Sequence, residues 1–248
     1  MDVIVSSENT LIKTVVKLKQ RKYRYEYGKF VLEGYRLIKD SVKNDVDVIV
    51  IVSESKYKEY AYEFANVVTV SDRLFDKISD TVNSQGIIAV VPLPEFKDKP
   101  HSRLCLYLDG IRDPGNLGAI VRTAAACGFC DIVLCDCVDV FNPKAIRSSM
   151  SAFRHCNFIL ATDDKSQLDG YTLICADANG KSIAEIGSNA VDGRLCLIIG
   201  NEANGISDSM KRRADVTVAL PMENGVESLN AAVGASVIMY YLRYLKSY

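Results

Sequence analysis

The chain has 248 residues, 48% of them hydrophobic, with 30 Lys or Arg against 31 Asp or Glu, which is enough for one large or two ordinary domains around a proper core. A formal net charge of −1 excludes a globally basic nucleic-acid binder and leaves open a local basic face. No apolar run reaches the ~18 residues of a membrane span, and MDVIVSSENT lacks the basic start and apolar core of a signal peptide, so a cytoplasmic location with no membrane partner is expected.

In chain order, Ser7 is placed to cap a first helix from about Glu8, with Leu11, Ile12, Val15, Val16 and Leu18 facing inward. From Lys13 to Lys39 there are nine Lys or Arg against two acids, Glu26 and Glu33. Lys13, Lys17, Lys19, Arg21, Lys22, Arg24 and Lys29, with Tyr23, Tyr25 and Tyr27 among them, are expected on the outer side of this helix or in the turn after it. A solvated surface is the simplest account of such a run. A strand Phe30 to Glu33, a helix from Gly34 to about Val42, a strand Val46 to Val52, a helix around Tyr57 to Ala65, a strand Val67 to Val70, a helix Asp72 to Ile78 and a strand Ile87 to Val91 make an alternating α/β unit. The proline-bearing run Pro92 to Arg103 reads as a linker, giving domains at 1–95 and 104–248 joined by residues 96–103.

The second domain opens with a buried strand, Leu104 to Leu108, that delivers Asp109-Gly110 and the loop IRDPGNLG into a helix starting near Asn116. That helix is small and apolar except at Arg122 and Thr123, so the arginine must leave at an edge or point into a cavity. Strands at Asp131 to Cys135, Phe158 to Ala161, Tyr171 to Ala176, Leu195 to Ile199 and Val216 to Leu220 alternate with helices at about Pro143 to Phe153, Asp208 to Arg213 and Ser228 to Leu245. This predicts a mostly parallel, doubly wound sheet. Two strands end in polar loops. Leu195 to Ile199 breaks at Gly200 into Asn201, Glu202, Asn204 and Gly205, and Val216 to Leu220 runs into Pro221 and Asn224-Gly225. Ser228 is then placed to cap a helix whose apolar residues are Leu229, Ala232, Val233, Val237 and Tyr240. Ligands of open α/β sheets bind at the carboxyl ends of strands, so the two loops are expected to form one pocket.

Several chemistries find no support. Neither a P-loop nor a dinucleotide fingerprint is present, and His101 and His155 are too few for a Ser-His-Asp set. Cys127-x-x-Cys130 has no partner pair at metal spacing, and most of the eight cysteines lie in apolar runs, so structural thiols and no metal are expected. Function must come from Arg, Glu, Asn and Ser, which suit holding a polar substrate beside a cofactor that carries the reactive group.

Three segments in order, LDGIRDPGNLGAIVRTAAACGF, LIIGNEANGIS and LPMENGVESLNAAVGAS, resemble the three motifs of the SpoU-type 2′-O-ribose RNA methyltransferases of the SPOUT superfamily. FVLEGYRLIKDS, SQGIIAVV and NPKAIRSSMSAF extend the likeness over nearly the whole chain, the first two resembling pieces of a substrate-binding domain related to ribosomal protein L30e. The resemblance implies an L30e-like α/β N-terminal domain followed by an α/β SPOUT domain with a C-terminal deep trefoil knot that binds S-adenosylmethionine. It also implies a homodimer through the SPOUT domain, with an active site drawn from both subunits. Position by position, it assigns the catalytic arginine to Arg122, with Asn116, Glu202, Ser228 and Asn230 as the other motif residues and Gly200, Leu220, Met222 and Leu229 as cofactor contacts. Departures are small, Ser151 and Asn224 standing where the family often has glycine.

The expected substrate is a ribose hydroxyl of structured RNA, rRNA ahead of tRNA, with a non-catalytic RNA-binding or assembly role as the reading from another class. The hydroxyl must lose its proton as it attacks the methyl carbon. Arg122 is then either a base of strongly lowered pKa or a cation that stabilises the developing alkoxide and fixes the adjacent phosphate. Glu202 would hold Arg122 or Asn116, or satisfy loop amides, and Ser228 would be a functional serine or only a cap. On this reading Lys13, Lys17, Lys19, Arg21, Lys22, Arg24 and Lys29 contact RNA phosphates, and the tyrosines stack on an exposed base or pack on the domain.

Overall fold

A computed structural model describes residues 2–42, 47–187 and 193–244. The chain divides into two compact units, Met1–Pro94 with Phe141–Arg147, and Glu95–Val140 with Ser148–Tyr248. The segment Phe141–Arg147, assigned from sequence to the second domain, thus groups with the first unit.

The first unit is built from β1 (Val3–Ile4), α1 (Thr10–Leu18), α2 (Arg21–Tyr27), β2 (Lys29–Glu33), α3 (Tyr35–Ser41), β3 (Ile49–Ser53), α4 (Tyr57–Tyr60), β4 (Val67–Val70), α5 (Asp72–Ile78) and β5 (Ile87–Pro92). Its sheet runs β1-β4-β3-β5-β2, parallel in β1, β4 and β3 and antiparallel where β5 meets β3 and β2. Ile12, Val15 and Leu18 of α1 and Leu74, Phe75 and Ile78 of α5 cover Ile51, Val70, Ile88 and Val90 of the sheet. Val16, expected inside, is exposed. Asn9 rather than Ser7 caps α1, its side chain accepting from the Leu11 N–H at 2.9 Å. The helix expected to reach Ala65 stops at Tyr60, its one buried residue. Val46 and Leu245, the predicted ends of a strand and a helix, lie outside the described residues.

Two charged side chains organise this unit. Arg24, expected on the solvent-facing strip, is 2% exposed. The basic segment forms a helix of its own, and its periodicity turns Arg24 inward, where Nη1 donates to the Leu18 carbonyl at 2.8 Å and the Lys19 carbonyl at 2.9 Å. These are among the carbonyls that the end of a helix leaves without partners. Glu33, at the end of β2, accepts from Ser79 Oγ at 2.5 Å, Thr81 Oγ1 at 2.7 Å, Ser84 Oγ at 3.2 Å and the Asp80 N–H at 2.9 Å. Burial pushes its pKa up, yet these hydrogen bonds outweigh burial and hold the carboxyl below its ordinary range.

The second unit contains β6 (Leu104–Asp109), α6 (Pro114–Cys127), β7 (Asp131–Cys135), α7 (Pro143–Ser149, its last two residues only), β8 (Asn157–Leu160), β9 (Thr172–Ser182), β10 (Leu195–Gly200), α8 (Asp208–Lys211), β11 (Val216–Ala219) and α9 (Ala231–Tyr244). All pairings in its sheet are parallel, in the order β11-β9-β10-β6-β7-β8. Every residue of central β6 is buried, as a continuous apolar run in a parallel sheet requires. Residues 97–102, read as linker, are bound into this unit. The Lys97 N–H donates to the Phe158 carbonyl at 2.8 Å, and buried Asp131 accepts from the His101 and Ser102 N–H groups, each at 2.6 Å. Proline content marked an irregular path there, and the backbone hydrogen bonds that tie it down leave no sequence signature.

α9 has two apolar faces. Ala232, Ala235, Ile238, Met239 and Leu242 are buried, whereas Val233, Val237, Tyr240 and Tyr244 form an exposed stripe. Among the described residues no helix is long and apolar enough to cross a membrane.

Replacing Arg24 by Met should destabilise the chain by roughly 2–4 kcal/mol, because buried carbonyls lose their donors. Arg21→Met, at an exposed position, should cost under about 0.5 kcal/mol. Urea unfolding of both variants measures the difference, and equal midpoints would remove the capping role given to Arg24.

Candidate cofactor pocket and active site

Three loops meet at the carboxyl ends of β6, β10 and β11. After β6, Asp113 caps α6 by accepting from the Asn116 N–H at 2.8 Å, and Pro114 occupies the first turn where its missing N–H costs nothing. This starts α6 two residues before the expected Asn116 and sets that residue at the helix mouth. After β10, Asn201 and Gly205 pair through their backbones, Asn201 Oδ1 accepts from the Ala203 and Asn204 N–H groups, and Asn201 Nδ2 donates to the Gly110 carbonyl at 2.6 Å. Gly200 has no alternative here, since a Cβ would collide with the backbone of Gly205 and Ile206. After β11 the exposed segment Pro221–Asn230 contains Asn224 and Gly225 with φ of 56° and 73°, so asparagine suits a site where the family often has glycine.

Asn116 joins all three loops. Its Nδ2 donates to Glu202 Oε1 at 2.6 Å, and its Oδ1 accepts from Asn230 Nδ2 at 3.0 Å. Asn230 also accepts, through Oδ1, from the Ala232 N–H at 3.0 Å and the Val233 N–H at 3.3 Å. The cap of α9 is therefore Asn230, and Ser228 is not a helix cap. Thr123 Oγ1 and Ser236 Oγ, 2.9 Å apart, link α6 to α9.

Beside this network lies a cavity of about 820 Å³, within the range of small-molecule sites. Gly200, Leu220, Met222 and Leu229 all line it, as do Glu202, Ser228 and Asn230. Among its lining residues are three carboxylates, Asp177, Glu202 and Glu227, and no Lys, Arg or His. Asn116 stands outside the lining and reaches it through hydrogen bonds. Arg122 is not brought to the cavity. It is exposed on α6, and its side chain has no hydrogen-bond or ion-pair partner among the described residues.

On the first unit, the basic residues differ from one another. Arg21 and Lys22 are exposed and lie over the Tyr25 and Tyr23 rings, each 5.6 Å from the ring centre. Lys13 pairs with Glu8 at 2.6 Å, Lys17 donates to Tyr27 Oη at 3.1 Å, and Lys19 pairs with Asp80 at 2.7 Å. Lys29 is half-buried on β2. All eight cysteines are free thiols, and burial pushes Cys127 and Cys130 above the usual thiol range, away from the thiolate that metal or redox work needs.

Sequence reasoning noted Asn201 only as a turn residue and did not single out Asp113, which the D-P-x-N spacing marks as a cap. It missed Asp177 and Lys211, which lie outside every motif.

An all-parallel sheet with a cavity at its strand ends, closed by polar loops that share one asparagine, is the arrangement of a ligand-binding α/β domain. The profile of the SpoU rRNA Methylase family matches residues 103–240, and that of the MRM3-like substrate binding domain matches residues 9–89. The chain belongs to the SpoU rRNA methylase family. It is 30% identical to the 23S rRNA (guanosine(2553)-2′-O)-methyltransferase RlmP of Bacillus subtilis (strain 168), over 98% of this chain and 100% of that one. It is 26% identical to the mitochondrial rRNA methyltransferase 3 of Homo sapiens, over 92% of this chain and 70% of the relative. The crystal structure of an AdoMet-bound rRNA methyltransferase from Sinorhizobium meliloti shares the fold, with a TM-score of 0.83, 22% identity and coverage of 99% and 98% of the two chains.

Gly200→Ala should lower stability by roughly 1–3 kcal/mol, the usual cost of forcing atoms into a packed site. Denaturant unfolding beside Gly205→Ala, where a Cβ meets nothing within 4 Å and strain comes only from φ of +67°, measures it. A Gly200 variant as stable as wild type would show that the loop after β10 can yield.

Proposed function

We propose that this chain transfers a methyl group from S-adenosylmethionine to a ribose 2′-hydroxyl of rRNA. The observation that carries the reading is the cavity itself. It is walled by Ile199, Val218, Leu220 and Leu229, as an adenosine needs, and lined by carboxylates without a single cation, as suits a ligand bearing sulfonium and ammonium charges and not a polyphosphate. The bound cofactor supplies an electrophilic methyl carbon on a positive sulfur. Gly200, Leu220, Met222 and Leu229 contact it, while Asn116, Glu202, Ser228 and Asn230 shape the rim where the ribose enters.

Arg122 acts on the reacting hydroxyl and its neighbouring phosphate. Its exposure suits a residue that completes the site across a homodimer, and the apolar stripe Val233, Val237, Tyr240 and Tyr244 on α9 is the surface through which the copies associate. The trefoil knot of the family, rRNA rather than tRNA as substrate, and action in the cytoplasm belong to the same reading. Full-length similarity to a protein named for 23S rRNA supports rRNA. The retention of Asn116, Arg122, Glu202, Ser228 and Asn230 together supports catalysis over a purely binding role. On the first unit, Arg21 and Lys22 supply phosphate contacts, and Arg24 is excluded from that role by burial.

Protein incubated with S-adenosylmethionine carrying a labelled methyl group should label purified rRNA and leave tRNA unlabelled, and the reverse would move the substrate to tRNA. Arg122→Ala should abolish transfer with cofactor affinity near wild type. Arg122→Lys should fail almost as badly, because lysine keeps the charge without the planar fork; turnover within a few fold of wild type would show that charge alone suffices. Reversing Arg21 and Lys22 to Glu should weaken RNA binding and reduce its salt slope by about two, one for each lost phosphate contact. RNA titrations at several salt concentrations read both quantities, and unchanged slopes would return these residues to an ordinary surface.

A further inference from the structure

The ladder between β9 and β11 is broken in a way that shapes the cavity. Cys175 pairs with Thr217, and the next residue of β11, Val218, pairs with Lys181, so Ala176 to Gly180 leave the sheet. β10 gives them no support either, since its pairing with β9 ends at Cys175. The return needs Gly180, where a Cβ would lie 2.6 Å from the backbone N and C of Val218. Ala176, Asp177, Ala178 and Gly180 all line the cavity, so this excursion is one of its walls.

A wall without ladder partners needs another restraint. Asp177 provides it in two directions. Its Oδ1 accepts from the Asn179 N–H at 3.0 Å and from Asn179 Nδ2 at 3.1 Å, folding the excursion on itself, and its Oδ2 lies 2.7 Å from Lys211 Nζ on α8. The Asp177 side chain is 13% exposed and that of Lys211 42%, so the pair is partly shielded from water. Lys211 is outside the cavity lining, and of the three carboxylates there Asp177 alone has an ion-pair partner among the described residues.

We propose that Lys211 and Asp177 are a positioning pair: by tethering the β9 excursion to α8, they hold the cavity wall in its cofactor-binding form, so that Asp177 offers the ligand a fixed backbone. The inference rests on the cofactor reading above. Without Lys211 the carboxylate keeps its bonds to Asn179 and loses its tether to α8, so the wall has to be ordered by the ligand at the cost of affinity.

The test is calorimetric titration of the full chain with S-adenosylmethionine, alongside thermal unfolding without ligand. Lys211→Met should weaken binding about five- to tenfold, in keeping with a partly shielded ion pair. Lys211→Arg, which can still reach Asp177, should bind within about twofold of wild type. Asp177→Asn should match Lys211→Met, and the unfolding midpoints of the lysine variants should stay close together, which separates wall positioning from general destabilisation. Wild-type affinity in Lys211→Met, or equal losses in the Met and Arg variants, would overturn the positioning pair while leaving the cofactor reading intact. Absence of binding by the wild type itself at millimolar cofactor would overturn both.

Discussion

Asn116 makes two hydrogen bonds at once, one as donor and one as acceptor, from the two ends of its side-chain amide. Glu202 is a carboxylate and can only accept, so it must face the Asn116 NH₂, and the Asn116 carbonyl is thereby turned toward the Asn230 NH₂. Asn230 is oriented in turn by the first N–H groups of α9, which fix its own carbonyl. An aspartate at 116 would present charge to Glu202, and a leucine would remove both hydrogen bonds. The loops after β6, β10 and β11 are far apart in sequence, and this relay gives each a fixed place relative to the other two. The rim of the cavity depends on it.

Charge is distributed with the same economy. Cations are absent from the lining of the cavity, and its acids differ in availability: Asp177 is neutralised by Lys211, Glu202 is engaged by Asn116, and Glu227 faces the cavity from the exposed segment after β11. Arg122 stands clear of these carboxylates on α6. A guanidinium inside the cavity would pair with an acid there and compete with a cationic ligand, whereas on the exposed face it stays available to a polyanion. The proposed division is a pocket that favours a positive cofactor and a separate positive group that meets the RNA. The exposed apolar stripe of α9, on the helix that Thr123 and Ser236 tie to α6, is the surface proposed to join two copies.

Legibility from sequence followed how local the determining physics is. Strands such as Leu104–Asp109 and Leu195–Gly200 were readable because a buried parallel strand is a continuous apolar run, and the three loops were readable because glycine and asparagine accumulate where φ must be positive or backbones approach closely. Arg24 was misread because a basic residue in a basic run looks solvated, and only the packing of α2 against α1 turns it onto free carbonyls. Ser228 was misread as a cap because a serine before an apolar helix is locally sufficient, while Asn230 serves the cap and the relay at once. Periodicity picked out Val233, Val237 and Tyr240 of α9, which are exposed, and passed over Ala235, Ile238, Met239 and Leu242, which are buried, because it finds apolar positions without saying what covers them. Asp177 and Lys211 lie outside every motif, and their pairing arises from a break in the β9–β11 ladder that no local pattern announces.

The central claim is that this cavity and its relay serve ribose methylation of rRNA. Primer extension at low nucleotide concentration on rRNA from a strain lacking this chain, compared with its parent, tests it most directly. The account predicts loss of one 2′-O-methyl stop, restored by the wild-type chain and not by the Arg122→Ala form. An identical pattern of stops in the two strains would contradict it.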